Sequence, residues 1–334
     1  MITFLQTDLL WVIAFQSLGD WPVAPMKFFS FLGSEMFFIL VLPALYWSLD
    51  TALGMRVGVV LLLSGGINDL FKLAFHSPRP YWVSSGVRAH AAETSFGLPS
   101  GHAQISVGVW GMVSSYFRRL WVWLVAAALM LLIGLSRAFL GVHFFTDVVV
   151  GWLLGVILLW AILRAWEPAA AWAGRQSFGQ QVFLAFLASL VIVLLNVFFL
   201  FIWQEEGQVV VRTWTATVVQ AGVEPLPYPL TLNGPLTSAG TLFGLLVGIA
   251  WVRLWGGWRA EGPVWRRALR YLIGLMGVVL LWYGLGAVFP RGESLLPYGL
   301  RYVRYALLGF WVAGGAPWIF TKLKLSQPIP GEGG

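Results

Sequence analysis

The sequence predicts an all-α protein, a polytopic bundle of transmembrane helices, and three observations carry that expectation. Of its 334 residues, 59% are hydrophobic and 10% charged, against roughly 25% charged in soluble domains. A soluble domain has nowhere to bury so much apolar surface, whereas lipid covers it. Apolar stretches of about 20 residues, the length that crosses a bilayer, recur from end to end. The twenty Trp suit the aromatic belts of a membrane–water interface. The chain has no Cys, which excludes a disulfide framework and a thiolate nucleophile or ligand. The net charge of +7 comes from Arg scattered over short loops, which argues for topology and lipid contact and against nucleic acid.

Taken in order, residues 1–21 read as a short interfacial helix or partial span. They contain no Lys or Arg, so the positive start of a signal peptide is missing. About nine apolar stretches follow, centred on residues 31–47, 57–75, 102–117, 121–135, 148–163, 182–203, 236–255, 272–289 and 302–319. Gly and Pro punctuate them at 77–80, 97–101, 225–235 and 290–297. Residues 204–235 read as one long loop, and the Gly/Pro-rich tail 326–334 as disordered. An odd number of spans separates the termini. More Lys and Arg fall on the C-terminal side, which makes that side cytoplasmic and the opposite side extracytoplasmic.

Three segments on the expected extracytoplasmic side concentrate the chemistry. Lys72 precedes Arg79-Pro80; Pro99-Ser100-Gly101-His102 begins the third expected span; Ser136-Arg137 ends the fourth, and His143 and Asp147 open the fifth. A transferring phosphoryl group spreads negative charge over three oxygens. Lys72, Arg79 and Arg137 supply cations for it, the Arg forks bidentately. Each taken alone could be a headgroup anchor; three cations gathered on one side read as a site. Ser100 is placed to cap a helix whose free amides bind anions, and Gly101 leaves room for close backbone approach. His143 and Asp147 stand four apart, on one helical face. The carboxylate then orients the imidazole, whose other nitrogen becomes a directed nucleophile or base. A metal site built from His76, His90, Glu93, His102, His143 and Asp147 is the lesser reading, because no tight ligand spacing is present and the nearby cations repel a metal. Asp69 reads as a salt-bridge partner that positions Lys72.

These three segments are similar to the signature motifs of the type-2 phosphatidic acid phosphatase superfamily, which includes the vanadium haloperoxidases, and every fixed position matches. Arg79-Pro80-Tyr81-Trp82, the nine-span plan and the run Gly240-Thr241-Leu242-Phe243-Gly244-Leu245 resemble, more loosely, the glucose-6-phosphatase branch. The resemblance implies a six-helix phosphatase core toward the N-terminal two-thirds, within residues 1–205, and additional spans of the same membrane domain in 206–325. It also implies that His143 attacks phosphorus, Asp147 orients it and His102 protonates the leaving oxygen. Lys72, Arg79, Ser100, Gly101 and Arg137 would hold the phosphoryl oxygens, with no metal and no cofactor. The expected activity is hydrolysis of a lipid phosphomonoester or diphosphate through a phosphohistidine. The alternatives are a sugar-phosphate phosphatase and a non-catalytic lipid carrier or scaffold.

Overall fold

A computed structural model describes residues 2–326, which are helical and contain no β-strand. In chain order the helices are α1 (Ile2–Gln16), α2 (Val23–Phe31), α3 (Glu35–Ala44), α4 (Thr51–Phe75), α5 (Pro80–Val83), α6 (Gly101–Phe117), α7 (Leu120–Phe139) and α8 (Phe145–Gly174). There follow α9 (Phe178–Ile202), α10 (Gln204–Gln220), α11 (Asn233–Leu254), α12 (Val264–Val279), α13 (Leu285–Val288), α14 (Leu295–Phe310) and α15 (Ala316–Lys322). π-helical turns extend α3 over Leu45–Leu49, join α12 to α13 over Leu280–Gly284, and join α14 to α15 over Trp311–Gly315. The tail expected to be disordered falls, beyond Ser326, outside the described residues.

The all-helical membrane architecture agrees with the sequence expectation, but the count of nine spans is not confirmed. Among the described residues, six segments are long and apolar enough to cross a membrane: Thr51–Val83, Leu120–Phe139, Phe145–Gly174, Phe178–Ile202, Asn233–Leu254 and Val264–Val288. Val23–Phe31 with Glu35–Leu49, bent by 49°, makes a possible seventh. The expected span at 102–117 is α6, only 17 residues. At 1.5 Å per residue it reaches about 25 Å, short of the roughly 30 Å hydrocarbon core. It also buries Gln104, Ser106 and Ser114, and its length is at the lower end of the range that crosses a bilayer. The expected span at 302–319 is divided between α14, which carries Arg301 and Arg304, and α15. The expected loop 204–235 is helical over the whole of its first half, as α10.

The chain forms two compact units. The first comprises residues 1–37, 67–161 and 195–231. Its core gathers Val12, Leu73, Tyr81, Trp82, Phe96, Leu140, Phe144 and Val218. Helix α1 is stitched into this unit by two polar side chains. Gln16 donates through Nε2 to the carbonyls of Arg88 and Phe139, at 2.8 Å each. Asp8, 6% exposed, accepts from the amides of Phe145 and Thr146 at 3.0 Å each and from the Thr146 hydroxyl. Asp8 thus caps α8 from a distant helix, satisfying amide donors that a helix start leaves open. Asp8→Ala should lower stability by about 1–3 kcal/mol, read as an earlier thermal unfolding midpoint in detergent. An unchanged midpoint would contradict this capping role.

The second unit comprises residues 38–66, 162–194 and 232–334; its core gathers Tyr46, Trp47, Trp258, Tyr305 and Phe320. Gly240 and Gly248 sit on the α11 face that meets the C-terminal helices. A Cβ on Gly240 would lie 2.6 Å from the Tyr302 carbonyl oxygen, and one on Gly248 would lie 2.8 Å from the Ala313 Cβ. Glycine at this spacing lets membrane helices pack backbone to backbone. A Cβ on Gly244, between Gly240 and Gly248, would fall on the Ala306 carbonyl oxygen, and this close packing is the physical reason for the Gly240–Gly244 pattern in the sequence.

Candidate active site

All eight expected site residues belong to the first unit. Arg79 is at its centre. Its backbone is extended (φ −97, ψ 156) immediately before Pro80 starts α5, and its side chain is 1% exposed. The guanidinium is fully engaged. Nε donates to the Ser95 carbonyl at 2.7 Å, and Nη2 to the Ser95 hydroxyl and the Phe96 carbonyl at 3.1 Å each. Nη1 donates to the Val142 carbonyl at 2.7 Å and faces His143 Nε2 at 3.1 Å. Lys72 Nζ donates to the same Ser95 hydroxyl at 2.9 Å. Ser95, which sequence reasoning did not single out, therefore ties two of the three expected cations together. It takes the place expected of Asp69, since no Asp69–Lys72 ion pair forms among the described residues.

His143 precedes α8 and does not share a helical face with Asp147. Asp147 stands in the first turn of α8, and the chain bends at 143–144 to bring the pair together. Asp147 Oδ2 lies 3.2 Å from His143 Nδ1 and accepts from the Phe144 amide at 2.9 Å. Both side chains are buried. Arg79 can only donate, so His143 Nε2 accepts, and Nδ1 carries the proton toward the carboxylate. Burial and then the positive charges of Arg79, Arg137 and Lys72 push the imidazole well below the ordinary histidine value. His143 is thus a neutral imidazole with its Nε2 lone pair directed at a guanidinium.

Ser100 is the N-cap of α6, its side chain accepting from the Ala103 amide at 3.4 Å. Its own amide donates to the Asp147 carbonyl at 2.9 Å, which leaves the Ser100 hydroxyl as the donor it can offer a phosphoryl oxygen. Gly101 is dictated by packing, because a Cβ there would lie 2.9 Å from Asn68 Oδ1. Asn68 in turn bonds the Pro99 carbonyl at 3.3 Å and Gln104 at 2.9 Å, locking the helix start. His102, half-buried in the first turn of α6, packs beneath Gly33, whose Cβ would stand 3.2 Å from the ring.

Arg137 donates to Ser30 Oγ at 2.5 Å and forms an ion pair with Glu93. Burial by itself would raise the Glu93 carboxyl; Arg137, Arg79, His102 and Lys72 outweigh it and hold it well below the usual carboxylate range. Glu93 is pinned at its backbone by Tyr81, whose hydroxyl accepts from its amide and donates to its carbonyl, each at 2.9 Å. Helix α10 covers the loop that carries Glu93 and Ser95: Trp214 packs on Trp82 and Phe96, and the Tyr228 amide donates to the Thr94 carbonyl at 2.9 Å. His76 lies against Trp203 and His90 stacks on Phe139. Among the described residues no group of three or more His, Asp or Glu is arranged to hold a metal ion.

Comparison with known proteins gives two family matches. Residues 53–170 match the PAP2 superfamily, and residues 236–328 match the transmembrane extension of PAP2 superfamily phosphatases. A probable sphingosine-1-phosphate phosphatase of Dictyostelium discoideum is 36% identical over 97 residues, covering 27% of this chain and 23% of that protein. Glucose-6-phosphatase 3 of Rattus norvegicus is 30% identical over 144 residues, covering 36% of this chain and 41% of the relative. Phosphatidylglycerophosphatase B of Bacillus subtilis is 33% identical over 79 residues, covering 21% and 39%. The chain thus spans between 23% and 41% of the length of these relatives. The crystal structure of a transmembrane PAP2 type phosphatidylglycerolphosphate phosphatase from Bacillus subtilis superposes with a TM-score of 0.43 at 23% identity, covering 50% of this chain and 88% of that one.

Proposed function

We infer, from the premise that this chain carries a PAP2 superfamily domain and a PAP2 transmembrane extension, that it is an integral membrane phosphatase. It hydrolyses a phosphomonoester or diphosphate of a lipid, without a metal, through a phosphohistidine at an extracytoplasmic site. The observation that carries the reading is the buried chain Arg79–His143–Asp147, with a neutral imidazole nitrogen facing an anion-binding guanidinium.

The chemistry follows from that geometry. Entry of a phosphoryl group draws Arg79 Nη1 from His143 Nε2 onto a phosphoryl oxygen, freeing the lone pair. Nε2 attacks phosphorus in line, a P–N bond forms and the ester P–O bond breaks. His102 delivers a proton to the departing oxygen, while Asp147 stabilises the charge that develops on the His143 ring. In the second half His102 takes a proton from water, whose oxygen attacks phosphorus. The P–N bond breaks, and phosphate and neutral His143 are released. Lys72, Arg79, Arg137, the Ser100 hydroxyl and the α6 start at Gly101 meet the equatorial charge, which is how fixed donors lower such a barrier. The placement on the extracytoplasmic side rests on the loop charges as the nine-span topology distributes them.

A lipid substrate is favoured by the relatives named for sphingosine 1-phosphate and phosphatidylglycerophosphate. An apolar cleft of about 320 Å³, lined by Trp11, Phe145 and Val149 beside the start of α8, also gives an acyl chain a surface to lie on. The second reading, a sugar-phosphate phosphatase, is favoured by the glucose-6-phosphatase relative. Purified protein in detergent, offered phosphatidate, an isoprenyl diphosphate and glucose 6-phosphate, separates them. We expect higher kcat/KM on the lipids, activity that persists in EDTA, and inhibition by vanadate. A preference for glucose 6-phosphate supports the second reading, and a strict divalent-metal requirement contradicts the mechanism.

A further inference from the structure

We propose that Glu93 is the specificity-determining residue of this site: a resident carboxylate that occupies the substrate edge of Arg137 and admits only phosphoryl groups carrying two negative charges. The inference rests on the phosphatase reading above and adds the charge class of the substrate.

Arg137 is only partly partnered. A guanidinium grips an oxyanion best through two parallel N–H bonds, and Nε with Nη2 is the edge left when Nη1 is held by Ser30 Oγ at 2.5 Å. On that edge Nη2 carries Glu93, while Nε is buried and has no hydrogen-bond partner among the described residues. The Arg137 side chain is 4% exposed, so an empty Nε donor is costly, and an anion that took Nε and Nη2 together would satisfy both. Glu93 fills half of that fork and stands in its way.

Glu93 is also built to yield. Its side chain is 32% exposed, so it has a path into solvent. Its backbone cannot follow, because the Tyr81 hydroxyl clamps its amide and carbonyl at 2.9 Å each. The carboxylate can therefore leave only by side-chain rotation and returns when the site empties. Being tethered, it competes with incoming anions at an effective concentration of about millimolar. A phosphodiester, with one negative charge, brings no more charge to Arg137 than Glu93 already does. A monoester dianion or a diphosphate brings more, and displaces it onto water. The surrounding Lys72 and Arg79 sharpen this choice, since they attract the more highly charged group more strongly.

The test measures binding of inorganic phosphate and of dimethyl phosphate, by stabilisation of the purified protein against thermal unfolding, in wild type, Glu93→Gln and Glu93→Ala at pH 8. In wild type, phosphate binds and dimethyl phosphate does not. In both variants we expect phosphate to bind about tenfold more tightly and dimethyl phosphate to bind measurably. Weaker or unchanged phosphate binding in the variants would overturn the proposal, for it would mean that Glu93 orients Arg137 and does not compete for it. If phosphate stabilises neither wild type nor variant, the anion site itself is wrong and the proposal falls with the reading it rests on. The glutamine variant keeps the side-chain shape and the alanine variant removes it. Agreement between them excludes an effect of the new amide.

Discussion

Replacing His143 by Gln is expected to abolish phosphate release, by about 10⁴-fold or more in kcat, the scale seen when a covalent nucleophile is removed. Glutamine keeps a polar group that can still face Asp147 and Arg79, so the buried pair is not left as a bare cavity, and folding should be preserved. Its amide nitrogen has no lone pair to offer phosphorus. The geometry makes the loss specific: His143 is 1% exposed, its Nδ1 is turned toward Asp147 at 3.2 Å, and Nε2 is the nitrogen left to react. Burial and three cations disfavour protonation of that nitrogen. Phosphate release by the variant at more than about a hundredth of the wild-type rate would remove His143 from the nucleophile's place.

Arg79→Lys is expected to cost about 10²–10³-fold in kcat/KM even though the charge is retained. Arg79 makes five polar contacts in three directions, to the Ser95 carbonyl and hydroxyl, the Phe96 and Val142 carbonyls and His143 Nε2. A lysine ammonium has three donors on one atom and cannot span them. Two or more buried carbonyls would lose their donor, and the loop 95–96 would lose its tie to the turn at 142–143. The check is steady-state kinetics with a thermal unfolding scan on the same sample. A variant with wild-type kcat/KM would show that charge alone, without the fork, is sufficient at this position.

Much of the candidate site was legible in the sequence because phosphoryl chemistry restricts residue type. Lys72, Arg79, Arg137, His102, His143 and Asp147 are the side chains such a reaction needs, and hydropathy placed them all beside apolar segments. What was not legible depends on contacts between distant parts of the chain. Asp8 caps α8 across 137 residues, and no local pattern marks an Asp in an N-terminal helix as a cap for another. Glu93 and Ser95 occupy a loop whose sequence carries no periodicity, and their roles appear only once Arg137 and Arg79 are folded against them. The count of nine spans is not confirmed for a physical reason. Helix α6 is apolar enough to resemble a span, yet it is short and buries polar side chains. Helix α10 was read as loop because Glu205, Glu206 and four Gly and Pro residues downstream at 222–229 mask its amphipathic pattern. Its aromatic contact through Trp214 then places it over the very loop that holds Glu93 and Ser95.

The central claim is that His143 becomes covalently phosphorylated, and rapid acid-free quenching of the enzyme with a ³²P-labelled substrate, followed by peptide mapping, tests it most directly. The account predicts an acid-labile, base-stable label on the peptide that contains His143 in wild type, and none in His143→Gln. Label on any other residue, or wild-type turnover that proceeds with no trapped phosphoenzyme on His143 and inversion of configuration at phosphorus, would contradict it.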